Sequence, residues 1–165
     1  MEYISSDTNV WIDFGSINRI ELPFLLPYTY VMYYEQIERE LISVNKEELV
    51  KKGLQSVDIT IEEFFLAEEY GNKYLPLSRW DRIALAIAKT RGIKLLTGDM
   101  PLRRAALKEK VQVLGTIGVI DELYELKLIS KEEYIYCLEA LIQQNGRMVR
   151  LPLGELEKRL QKARG

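Results

Sequence analysis

Apolar residues in this chain gather in short unbroken runs, separated by longer segments in which they recur every three or four positions. The runs are YISS at 3–6, YTYVM at 28–32, VDITI at 57–61, IKLLT at 93–97 and VQVL at 111–114. Their length and their β-branched or aromatic content predict strands covered on both faces, as in a parallel sheet. EQIERELIS, KEELVKKGLQ, SRWDRIALAIAKTRG and PLRRAALKEK read as helices, with Gly92 placed to close the third and Pro101 suited to the first turn of the fourth. VDITI runs directly into EEFFLAEEYG. Two further helical segments, roughly 116–128 and 131–145, and a charged helix after Pro152 finish the chain.

Strands separated by helices imply right-handed βαβ crossovers and a three-layer α/β/α sandwich around a central parallel sheet. With 165 residues, 47% of them hydrophobic, the chain suits one core. We therefore expect a single domain over 1–165, with roughly 116–165 as its helical extension. The most apolar tract, LPFLLPYTYVMYY at 22–34, is too short for a bilayer and is interrupted by Pro23 and Pro27. The first residues lack the basic start and apolar stretch of a signal peptide, so a cytoplasmic protein is expected, with no membrane partner. The tail ELEKRLQKARG reads as a solvated terminal helix.

Ligands bind at the carboxyl edge of such a sheet. Asp7 stands where the first strand ends and Asp99 where IKLLT ends. Asp81 opens a helix and shares a face with Ala84, Leu85 and Ala88, three, four and seven residues on. In YYEQIERELISV, Ile37, Leu41 and Val44 form an apolar stripe on which Glu40 falls, while Glu35 and Glu38 lie nearer solvent and remain alternatives. Each acid alone has a plain structural explanation as a helix cap, a first-turn acid or a turn residue. Four inward carboxylates at one edge, however, repel one another unless a divalent cation compensates them.

The chain has no histidine and a single cysteine, Cys137. That excludes histidine triads and dyads, disulfides and Cys-based zinc. Oxygen-only donors point to Mg²⁺ or Mn²⁺.

The net charge of −2 conceals a segregation. Residues 1–78 carry 6 Lys+Arg against 14 Asp+Glu, residues 79–110 carry 9 against 3, and residues 111–165 carry 8 against 8. A charge run is often only a solvated face. The alternative is a basic rim able to hold a phosphate backbone, with Arg79, Arg82, Arg103 and Arg104 among its candidates.

SSDTNVWIDF, IEREL, DRIALAIAKTRG and IKLLTGDMPLRRAA, in that order, resemble the PIN domain, the metal-dependent nuclease fold of many prokaryotic toxins of toxin–antitoxin pairs. The likeness runs from about residue 3 to 120. VQVLGTIGVIDELYELKLIS further resembles a PIN branch in which a Gly-Thr-x-Gly-Val run leads into an extra helical pair. The resemblance implies that Asp7, Glu40, Asp81 and Asp99 are the acidic catalytic and metal-site residues, with Asn9 and Thr97 supporting them. A double acid in this branch would stand where Gly98-Asp99 is, so the site here is expected to hold its metal with one ligand fewer.

The activity implied is a Mg²⁺- or Mn²⁺-dependent endoribonuclease in which a metal-activated water attacks phosphorus, leaving 5′-phosphate and 3′-hydroxyl ends. RNA as substrate, a homodimer and a small antitoxin protein are implied in the same way. An aspartyl phosphatase would need a second Asp where Asn9 stands. The remaining rival is a catalytically silent PIN-like interaction module, its acids serving as caps and its helical tail as a docking surface.

Overall fold

The computed structural model describes residues 1–165. Five parallel strands, β1 (Glu2–Ser6), β2 (Tyr28–Tyr33), β3 (Gln55–Val57), β4 (Lys94–Leu96) and β5 (Val113–Leu114), form one sheet in the order β3-β2-β1-β4-β5. β1 is central, and Ser5 pairs with Val31 on one side and Leu95 on the other. The strand order reverses at β1, where a crevice opens beyond the carboxyl ends.

Alternate side chains divide the strands between two cores. Ile4, Tyr30, Met32 and Leu96 face one layer, while Val31, Tyr33 and Leu95 face the other. The first layer holds helices α1 (Thr8–Ser16), α7 (Thr116–Glu125), α8 (Lys131–Gln144) and α9 (Leu153–Arg164). The second holds α4 (Ile61–Lys73), α5 (Arg79–Arg91) and α6 (Met100–Lys108). Two short helices, α2 (Tyr34–Arg39) and α3 (Lys46–Lys52), bridge β2 and β3. The architecture is thus a three-layer α/β/α sandwich, and none of its helices is long and apolar enough to cross a membrane.

Local chemistry fixes the helix ends. Thr60 with Glu63 and Ser78 with Asp81 form capping boxes at the starts of α4 and α5. Gly92 ends α5 at φ +64°, a conformation that favours glycine. α4 and α5 are joined by a partly buried ion pair, with Arg91 Nε donating to Glu63 Oε2 at 2.8 Å and Thr90 Oγ1 to the same oxygen at 2.7 Å. Arg91, the Thr60 amide and Thr90 together hold Glu63 down to about pKa 2 against the upward push of its own burial.

Three elements differ from the sequence expectation. EQIERELIS is helical only to Arg39, with Glu40 as its C-cap: the Glu40 amide still donates to the Gln36 carbonyl while its side chain accepts from Thr8 on α1. The strand expected over VDITI ends at Val57, because Thr60 serves as the α4 cap instead of extending the ladder. The tail helix is not merely solvated: Leu156 on α9 is fully buried among α8 residues, and Arg159 pairs with Asp121 at 3.0 Å. The extension over 116–165 shares its core with β1 and α1. A buried hydrogen bond adds to that seam: Thr116 Oγ1 donates to Asp13 Oδ2 at 2.6 Å, at the start of α7, where Gly115 supplies no side-chain cap.

Candidate active site

Four acids from four segments line one open cleft of about 290 Å³ beyond the carboxyl edge of β1 and β4: Asp7, Glu40, Asp81 and Asp99. Thr8, Asn9 and Ser78 are beside them. Each acid is placed by ordinary backbone chemistry.

Asp7 follows β1 and caps α1, its Oδ1 accepting from the Thr8 amide at 2.8 Å. Asp99 follows β4 and caps α6, its Oδ2 accepting from the Leu102 amide at 3.1 Å. Asp81 returns from the third residue of α5 to accept from the Ser78 amide at 3.1 Å. The cap explanation therefore holds for three of the four. It does not account for the fact that their helices all start around the same cleft.

Thr97, buried and just past β4, joins two of the acids. Its Oγ1 donates to Asp7 Oδ2 at 2.9 Å and accepts from the Asp99 amide at 3.1 Å. Asn9 Oδ1 accepts from the Gly98 amide at 3.3 Å and so ties α1 to the same loop. Leu151, from the loop before α9, packs within 3.8 Å of where a Gly98 side chain would begin.

Glu40 reaches the cleft from the C-terminal end of α2, not from a helical stripe. Its Oε1 accepts from Thr8 Oγ1 at 2.5 Å and from Gln36 Nε2 at 2.8 Å. Thr8 and Gln36 are both buried. Sequence reasoning passed over both residues; the only signal was that Gln36 sits four residues before Glu40, one helical turn away. Glu38 is exposed, with Lys46 at 3.5 Å, and Glu35 lies with Tyr33 and Arg79; neither lines the cleft.

Three features describe the electrostatics. None of the four acids has a Lys or Arg within salt-bridge distance, whereas the buried Glu63 does. Burial, with Asp81 and Glu40 as like-charged neighbours, raises Asp7 to about 7. Burial also raises Asp81, with Asp99 and Glu40 adding to the shift. The cleft is an uncompensated anionic site.

The donor set fits a hard divalent cation in kind and in charge. The second oxygens of Glu40, Asp81 and Asp99 take no hydrogen bond from the protein. No three of the carboxylates gather tightly enough to form a ready-made cage. Mg²⁺ does not require such a cage, since it keeps several waters and is commonly held by one or two carboxylates with phosphate oxygens completing its shell.

The basic rim divides in two. Arg79 pairs with Glu35 at 3.4 Å and stacks on Trp80, and Arg82 Nε donates to the Ser78 carbonyl at 3.3 Å. Neither lines the cleft, because α5 turns them toward structural partners. Arg103 and Arg104 lie on α6 in a groove that begins next to Asp99.

A family model described as a PIN domain matches residues 3–164. PIN domains are commonly nucleases. No curated protein and no solved structure matches the chain.

Proposed function

The chain belongs to the PIN-domain family, and from that premise we propose that it is a Mg²⁺- or Mn²⁺-dependent endoribonuclease. One observation carries the reading: four carboxylates line one cleft with no cationic side chain to balance them. Such a cluster is costly to keep, whereas buried Glu63 is paired with arginine and buried Asp13 stands alone with one threonine hydroxyl, and a divalent cation would offset the cost.

When bound, the metal supplies a water of lowered pKa and stabilises charge on the phosphoryl group. The protein's own residues do the positioning. Thr97 holds Asp7 and Asp99 in one constellation, so both can serve the same ion. Thr8 and Gln36 fix Glu40, and the Ser78 cap fixes Asp81, on the remaining walls. Asn9 steadies the Gly98 loop between them. With no histidine to drive a cyclic-phosphate route, the products are 5′-phosphate and 3′-hydroxyl ends. The cellular role that goes with this chemistry is that of a toxin restrained by a small antitoxin protein, acting as a homodimer in the cytoplasm.

The test is a cleavage assay on mixed RNA with Mg²⁺, Mn²⁺ or excess EDTA, comparing wild type with Asp7→Asn and Asp99→Asn. Metal-dependent cutting lost in both variants supports the reading. Cutting that survives EDTA, or survives both substitutions, contradicts it.

A further inference from the structure

The nine cations of residues 79–110 are not equivalent once their partners are known. Arg79, Arg91 and Lys94 pair with Glu35, Glu63 and Glu2. Arg82 and Lys89 donate to the backbone carbonyls of Ser78 and Glu109, and Lys108 lies over the Tyr74 ring. Arg103, Arg104 and Lys110 have no acidic partner. All three, together with Lys94, line one groove of about 680 Å³ between α6 and the β5 edge of the sheet, and no acid lines it. The exposed Met100 and Leu107 supply an apolar wall, and no strand pairs with the outer edge of β5.

The groove and the cleft are lined by neighbouring residues, Met100 and Asp99. The groove begins at Met100, the residue after Asp99, and follows α6 for its whole length. Arg103 is seated at the junction, its Nη1 donating to the Thr97 carbonyl at 3.4 Å and lying 2.6 Å from where a Gly115 Cβ would be. A groove lined by three cations without acidic partners, of which only Arg103 is held by a backbone carbonyl, and by no aromatic side chain suits phosphates, not stacked bases.

We infer that the α6–β5 groove is the track for the phosphate backbone of a single RNA strand on one side of the scissile bond, gripped by Arg103, Arg104 and Lys110 without reading sequence. The inference rests on the nuclease reading for its substrate class.

Binding of a fluorescent single-stranded oligoribonucleotide to full-length Asp7→Asn protein, in EDTA and across a salt series, tests it. The readout variants add Arg104→Gln with Lys110→Gly. Lys110 sits at φ +61°, where glycine is at ease, so that change removes charge without adding backbone strain. The slope of log affinity against log salt is expected to fall by about 1.4, at about 0.7 for each phosphate that the protein no longer neutralises. An Arg79→Gln/Arg82→Gln pair is expected to leave it unchanged.

An unchanged slope in the groove variant overturns the inference, as does an equal fall in both pairs or failure of the parent to bind RNA. So does binding of a glutamate-rich peptide that only the groove variant loses while RNA binding is kept; the groove would then seat an acidic protein partner. Wild type that cuts RNA while the slope stays fixed sinks the track and spares the nuclease. A fallen slope in protein that never cuts does the reverse.

Discussion

Glu63 and Asp7 are both buried carboxylates at helix starts, on opposite sides of the sheet, and the protein treats them oppositely. Glu63 receives an arginine, a threonine hydroxyl and a backbone amide, and its carboxyl is held down to about 2. Asp7 receives a hydroxyl and an amide but no cation, faces Asp81 and Glu40, and is pushed up to about 7. The fold can neutralise a buried acid internally and does so on the α4–α5 side. At the carboxyl edge it supplies no cationic side chain to any of the four acids.

The comparison is broken most severely at Arg91. Arg91→Met removes the cation from buried Glu63, which keeps its bonds from Thr90 and the Thr60 amide, and is expected to cost about 1–3 kcal/mol in urea unfolding. Adding Glu63→Gln recovers a large part of that loss. The pH dependence has a definite sign. Glu63 has a folded pKa below its unfolded value, so its stabilisation is complete above about pH 4.5. It is lost as pH falls toward 2, and an acid melt of wild type followed by circular dichroism should show the loss.

At the cleft, Thr97→Val removes the hydroxyl that serves both Asp7 and Asp99. Supporting residues of this kind commonly cost 10–100-fold in metal affinity or activity, and a loss of about that size is expected in metal titrations of cleavage. Thr97→Ser should retain most of it. A Thr97→Val protein with unaltered metal dependence would remove the hydroxyl bridge from the account.

Asp7→Asn should act in opposite directions on stability and activity. Its folded pKa lies above the unfolded one, so metal-free wild type loses stability as pH rises from about 4 to 7 and carries the full penalty above that. In EDTA at pH 8 the variant should melt higher than wild type. A gain of about 1 kcal/mol corresponds to about 2–4 °C in a chain of this size. A variant that melts lower would mean that Asp7 is mainly a cap.

Much of this was readable in the sequence, for identifiable reasons. Asp7 and Asp99 each stand at an abrupt change from an apolar run to helical spacing. Asp81 opens a helix and shares a face with Ala84, Leu85 and Ala88. Those signals are local, and they placed three acids at strand and helix ends. Glu40 was reached through a helical stripe that the structure lacks, since α2 stops at Arg39. What turns Glu40 into the cleft is Thr8, 32 residues earlier, together with buried Gln36. No periodicity reports a contact of that range. The division of the basic segment was hidden for the same reason, because Glu35, Glu63 and Glu2 come from distant positions. The docked face of α9 rests chiefly on Leu156, which a charged composition obscured.

The smallest expected effects sharpen the choice of second acid. Glu35→Gln and Glu38→Gln should leave metal-dependent cleavage unchanged and alter stability by less than about 0.5 kcal/mol, as exposed or partly exposed pairs usually do. Glu40→Gln should weaken cleavage.

The most direct test of the contrast is titration calorimetry of Mn²⁺ into wild type, Asp7→Asn/Asp99→Asn and Glu63→Gln, all at pH 7.5. Saturable binding is expected in wild type and in Glu63→Gln, and none at the cleft in the double variant. Equal binding in all three proteins, or no binding in wild type, would contradict the claim that the cleft carboxylates are left unpaired for a divalent cation.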